Sequence, residues 1–215
     1  MLGFLFSDPL MFLVWTGALL AAITVHEFAH AWAADRLGDP TPRLQGRLTL
    51  NPLAHLDPMG TLMLILFRFG WGKPVVFDPY NLENPKKDSA LISLAGPASN
   101  FLLAIILAII LRLTMTPFSP FALLASLIPP FIFLNIILGL FNLIPIHPLD
   151  GGKILVGLLP SKDAASADLF LRRYGVLILI MLIFPVFGGT SAVFYFLDPI
   201  IKFILQILLP SQTLV

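Results

Sequence analysis

Residues 10–38 read "LMFLVWTGALLAAITVHEFAHAWAADRLG", an apolar run long enough to cross a bilayer whose second half carries two histidines and a glutamate. About 20 apolar residues span a hydrocarbon core of about 30 Å. Composition repeats that signature along the whole chain. Of 215 residues 58% are hydrophobic and 12% charged, and the mean hydropathy is +0.93. Such values fall outside the soluble globular range and point to an integral membrane protein. A net charge of +1 gives no basic surface for nucleic acid, and without cysteine any metal must be held by His, Asp or Glu. The opening "MLGFLFSDPL" lacks the positive n-region of a cleaved signal, so the first run is expected to be retained.

Working outward, apolar runs at 9–36, 89–114, 121–144 and 191–209, with a shorter one at 174–187, are the candidate spans. "MGTLMLILFRF", 59–69, is too short to span and reads as a re-entrant or interfacial helix. Between 38 and 87, Gly, Pro and Asn punctuate short alternating pieces, "GRLTL" (46–50) and "KPVVF" (73–77), which read as strands of a small membrane-surface β-sheet. The expected fold is therefore an all-α polytopic membrane protein of about five to six transmembrane helices, one domain over 1–215. Arg36, Arg43, Arg47, Arg68, Lys73, Lys86, Lys87, Lys153, Lys162, Arg172 and Arg173 fall on one side of such a layout and only Arg112 on the other. Excess Lys and Arg mark the cytoplasmic side, which sets the histidines within the bilayer but nearer the cytoplasm.

His26 and His30 stand four apart, so a helix places both imidazoles on one face, where they can share a metal ion. Glu27 beside them can act on a water held by that ion, the H-E-x-x-H pattern of zinc hydrolases. Ionisable groups at bilayer depth cost at least about 2.5 kcal/mol each, so three within five residues need a partner that returns the energy. Two histidines need a third ligand, and a carboxylate would also balance charge: Zn²⁺, one carboxylate ligand and Glu27 sum to zero. Asp150 in "FNLIPIHPLDGGKIL" (141–155) is the best candidate. Pro145 and Pro148 hold the chain extended there, and Gly151 and Gly152 permit close backbone approach. The competing role for Asp150 is the N-cap of the helix "GGKILVGLL". His147 is a rival ligand that an extended segment would point to a different side. His55, next to Asp57 in "NPLAHLDP", is a candidate to orient a ligand imidazole or simply to bond within its loop. Asn100 in "GPASNFLLA" is expected to bond between helices at a small-residue contact, with a supporting role at the metal as the other reading.

Together, H-E-x-x-H in an early transmembrane helix and N-x-x-P-x-x-x-x-D-G in a later one resemble the site-2 protease family of intramembrane zinc metalloproteases, peptidase family M50. The similarity covers roughly residues 16–159, including the 51–104 stretch "NPLAHLDPMGTLMLILFRFGWGKPVVFDPYNLENPKKDSALISLAGPASNFLLA". It implies His26, His30 and Asp150 as ligands of one zinc ion, Glu27 as general base, and Asn142 as the residue near the metal that steadies the scissile carbonyl or its oxyanion. A helix-capping role for Asn142 stays open beside that one. The resemblance further implies a catalytic core within about 9–159, built on helices 9–36, 89–114 and 121–144, with peripheral C-terminal helices over 166–209. Larger relatives carry PDZ or CBS modules that this sequence does not, so regulation would be lacking or come from a separate protein. Expected partners are the bilayer and a transmembrane-segment protein substrate, with homo-oligomerisation left open. The location expected is the cell membrane, active site toward the cytoplasm. Two further classes remain: an inactive membrane binding protein, and a metal or ion transporter with a midplane site.

Overall fold

The computed structural model describes residues 7–67, 70–115, 125–184 and 191–210. The first helix, α1, spans Pro9–Arg36. Asp8 caps it by accepting from the Met11 amide at 3.0 Å, and proline fills the first turn, where its missing N–H costs nothing. It stops at Gly38, whose φ of 105° suits glycine. Helices α2 (Pro58–Phe67), α3 (Pro85–Thr114), α4 (Pro129–Asn142), α5 (Asp150–Leu158), α6 (Ser161–Ile183) and α7 (Ala192–Leu208) follow. By length and composition α1 and α3 are each long and apolar enough to cross a membrane.

Small residues let these helices approach. Ala18, Ala22, Ala31 and Ala34 of α1 are fully buried, and α1, α3 and α4 pack on one another while α5 lies along α3. Ala104, Ala108 and Leu111 of α3 meet Ile132 and Ile136 of α4. The α7 stripe Val193, Leu197, Ile201 and Leu205, one residue per turn, closes that core. Its other face exposes Phe194, Tyr195, Phe196 and Phe203, as α3 exposes Ile105, Ile106, Ile109 and Ile110. Asp198 and Lys202 pair at 2.6 Å on α7, the i, i+4 contact their spacing implies.

Several expectations change. The described part of the run 121–144 is not one helix: residues 126–128 break it between Ala125, which is helical, and α4, with 121–124 outside the described residues, and 185–187 of the shorter run also lie outside. The 59–69 helix forms as α2, with Arg68 and Phe69 outside the described residues. The expected sheet is not found among the described residues, where one isolated antiparallel bridge joins Leu56 and Gly72. The reason is competition for backbone groups. In "KPVVF" the Val75 amide donates to the Glu27 carboxylate at 2.9 Å, Pro74 has no amide, and the Pro74 carbonyl accepts from buried Arg47 at 3.2 Å. "GRLTL" opens on Gly46 at φ 69°, and the Arg47 amide turns back to the Pro42 carbonyl at 2.8 Å. A strand whose ladder groups are already spent has no partner to pair with.

Candidate metal centre

Helical periodicity puts His26 and His30 one turn apart on the buried face of α1, against α3. Their Nε2 atoms lie 3.0 Å apart. Asp150 enters from the other side of the chain's fold. Between α4 and α5 the residues 143–149 make a tight non-helical turn that contains a cis His147–Pro148 bond, and Asp150 opens α5. A β-carbon on Gly151 would lie 2.2 Å from the Ile144 carbonyl oxygen, so only glycine lets the start of α5 fold back onto that turn. Leu149, not Asp150, occupies the cap position, and Asp150 Oδ2 sits 3.1 Å from His26 Nε2 and 3.2 Å from His30 Nε2. The helix-cap alternative for Asp150 therefore gives way to convergence on the histidines.

Backbone chemistry fixes which ring nitrogens face inward. His30 Nδ1 lies 2.7 Å from the Ile92 carbonyl oxygen, which can only accept, so Nδ1 carries the proton. His26 Nδ1 lies 2.7 Å from Asn100 Oδ1, and the Asn100 amide donates to the Ala22 carbonyl at 3.0 Å, so that oxygen too can only accept. Both Nε2 lone pairs thus point at each other and at a carboxylate oxygen. Three electron-pair donors so close repel unless a cation stands among them, and two imidazoles with one carboxylate are a zinc donor set.

These groups line a cavity of about 360 Å³. Glu27, Asn142, Lys153 and Ser93 line it too, as do Pro74, Val75 and Phe77 of the 73–77 segment. Glu27 Oε2 accepts from the Val75 amide. Asn142, last residue of α4, donates one amide hydrogen to the Leu138 carbonyl at 3.0 Å. Lys153 stands one turn along α5 from Asp150, its ammonium 4.8 Å from the Phe77 ring centre. Burial pulls the Lys153 pKa below the ordinary lysine value, while the nearby charges of Asp150 and Glu27 act the other way.

The structure brings His26, His30, Glu27, Asn142 and Asp150 to one cavity, with Asn100 behind His26. It takes the other two histidines elsewhere. His55 is buried with Nε2 2.8 Å from the Thr49 carbonyl oxygen, bonding within its own loop. His147 Nε2 meets Asp168 of α6 at 3.0 Å, and Asp168 also accepts from Arg172 at 2.7 Å, so this histidine ties α6 to the turn. Sequence reasoning missed Lys153 and Gly96. The lysine, three residues past Asp150 on a short amphipathic helix, was visible as a same-face neighbour. A β-carbon on Gly96 would lie 2.4 Å from His30 Nε2 and 2.7 Å from His26 Cε1, a contact that only the assembled helix pair reveals.

A profile of peptidase family M50 matches residues 119–184, which include Asn142 and Asp150. A Bacillus subtilis (strain 168) protein provisionally named zinc metalloprotease YwhC is 38% identical over 176 residues, 80% of each chain. The Mycolicibacterium smegmatis protein provisionally named zinc metalloprotease Rip2 is 35% identical over 180 residues, 80% of this chain and 67% of its own length. Zinc metalloprotease MJ0392 of Methanocaldococcus jannaschii is 27% identical over 144 residues, 67% of this chain and 34% of its own. No solved structure matches the chain.

Proposed function

From the premise that the chain belongs to peptidase family M50, the site-2 protease family, and is a zinc metalloprotease, we propose that it cuts peptide bonds within or beside transmembrane segments. In this reading one zinc is held by His26, His30 and Asp150. The observation that carries it is the meeting of two Nε2 lone pairs and one carboxylate oxygen at 3.0–3.2 Å inside a cavity that also holds Glu27.

Zinc bound there supplies a Lewis acid that polarises a carbonyl and acidifies water. Glu27 takes the proton of the attacking water and returns it to the leaving amine. The Val75 amide anchors Oε2 of that carboxylate and leaves Oε1 to face the reacting water. Asn142 spends one amide hydrogen on the Leu138 carbonyl of its own helix and has the other available to charge developing on the scissile carbonyl. Lys153 adds a positive charge to the same wall.

A transmembrane substrate hides its carbonyls in helical bonds, so it must unwind and find new partners before it can be cut. The 73–77 segment lines the cavity whereas 46–50 does not, so of the two it is the one placed to receive an extended substrate by β-augmentation, through backbone groups other than the Val75 amide and Pro74 carbonyl that Glu27 and Arg47 already hold. The two long apolar helices support a membrane setting, and the one-sided basic residues support a site opening toward the cytoplasm of the cell membrane. Regulated intramembrane proteolysis is the process that such a site would serve.

The test compares membrane proteomes of cells carrying wild type and Glu27→Gln, with zinc content measured on both purified proteins. Zinc is expected in both, with a membrane-protein fragment that disappears in the variant and its uncut parent that accumulates. General-base loss lowers cleavage about 10²–10⁴-fold. An unchanged fragment pattern with zinc retained would refute the base assignment. Zinc uptake into vesicles by both proteins would favour the transporter reading.

A further inference from the structure

Asn135 sits in the middle of α4 in the apolar run "FIFLNIILGLFN", fully buried, and none of the steps above uses it. An amide inside an apolar helix is costly unless its groups are all paired. Its partners form a directed chain. Asn135 Nδ2 donates to the Phe131 carbonyl at 2.8 Å, and because a backbone carbonyl only accepts, the orientation of this amide is fixed. Its oxygen therefore faces α3, where it accepts from Asn100 Nδ2 at 2.8 Å. Asn100 is fully buried too, and its second amide hydrogen goes to the Ala22 carbonyl at 3.0 Å. Both hydrogens are spent, so the only group Asn100 can turn to His26 is its oxygen, 2.7 Å from Nδ1.

We propose that Asn135 is a positioning residue for the zinc site: it holds Asn100, and through it the His26 ring, with the proton on Nδ1 and the Nε2 lone pair in the cavity. The relay runs across three helices, from α4 through α3 to α1, and sets their rotation at the level of the histidines. Without the Asn135 oxygen, one Asn100 hydrogen is orphaned in a dry interior, and Asn100 shifts to recover it at the expense of the His26 contact. A merely structural Asn135 would bind helices together and leave metal affinity alone.

This inference rests on the zinc reading, and the experiment separates the two. Zinc affinity of the purified full chain is measured by competition with a chromophoric chelator for wild type, Asn135→Leu, Asn100→Ala and the double variant. Asn135→Leu is expected to weaken zinc binding about tenfold or more, the scale of lost outer partners of metal-bound histidines. In the Asn100→Ala background the same substitution should add nothing, because the relay is already cut. Asn135→Ser, whose hydroxyl can still bond the Phe131 carbonyl but is too short to reach Asn100, should match Leu and guards against misfolding of the bulkier variant. Zinc affinity unchanged in the folded variants, or the same loss in both backgrounds, would overturn the relay. A wild type that binds no zinc would overturn the zinc reading itself.

Discussion

At Gly96 a single methyl group would undo the metal centre. The added carbon would lie 2.4 Å from His30 Nε2 and 2.5 Å from its Cε1, and the ring cannot retreat while Nδ1 is held by the Ile92 carbonyl. Alanine is the better helix former by about 1 kcal/mol, so α3 itself gains from the change. Overlap with a ring that cannot retreat costs about 1–3 kcal/mol, more than that gain, so Gly96→Ala is expected to lower the melting midpoint modestly while zinc affinity falls at least about tenfold, on the scale of disturbed metal-histidine support. Chelator competition and a circular-dichroism melt on the same sample check this, and zinc binding equal to wild type would show that the rings have room to move. Residue-level chemistry was the most legible part of the sequence. The His26–His30 spacing is local and needs only helical geometry, and the prolines before Asp150 rule out a continuous helix, although they make a tight turn with a cis His147–Pro148 bond where the sequence suggested an extended segment. Asn100, 74 residues from His26, became its orienting partner only when α1 and α3 packed.

Among the elements, the crossing from α1 into the 38–87 region depends on one buried carboxylate. Asp39 accepts from the Thr41 hydroxyl at 2.6 Å, the Thr41 amide at 3.0 Å, the Asn81 side chain at 2.8 Å and the Asp78 amide at 2.7 Å. Burial would raise its pKa, but these donors outweigh that and hold it below the ordinary value. A depressed folded-state pKa means the contribution is complete above the unfolded value of about 3.9 and is lost as pH falls through the lower folded value. Asp39→Asn should thus be less stable than wild type by about 1–3 kcal/mol at pH 7. The gap should stay constant down to pH about 5, begin to narrow near about 4, where the unfolded chain takes up its proton, and go on closing as pH falls toward the lower folded value. Melting midpoints across that range read it, and a gap that widens in acid would contradict the sign. This region was also where the sequence misled. "KPVVF" alternates as a strand does, but whether a strand pairs depends on who else claims its amides and carbonyls, and Glu27 and Arg47 claim these. His147 was similarly out of reach, since its partner Asp168 arrives on α6 from 21 residues away.

For the molecule as a whole, membrane placement joins the pieces into one enzyme. The helices α1 and α3 carry the length to cross, and α7 covers the α3–α4 core with one face while exposing aromatics on the other. The chain contains no cysteine, so single cysteines report topology cleanly. Cysteine at Lys87 should react with an impermeant maleimide only in inverted vesicles, and cysteine at Arg112 only in right-side-out ones; the reverse pattern would invert the proposed orientation. The most direct test of the central claim is zinc-edge X-ray absorption on the purified protein alongside Asp150→Ala. Wild type should hold one zinc per chain with two imidazole nitrogens and a carboxylate oxygen among its ligands, and Asp150→Ala should lose that oxygen together with most of the metal. An unchanged zinc content and spectrum in Asp150→Ala would contradict the site built from His26, His30 and Asp150.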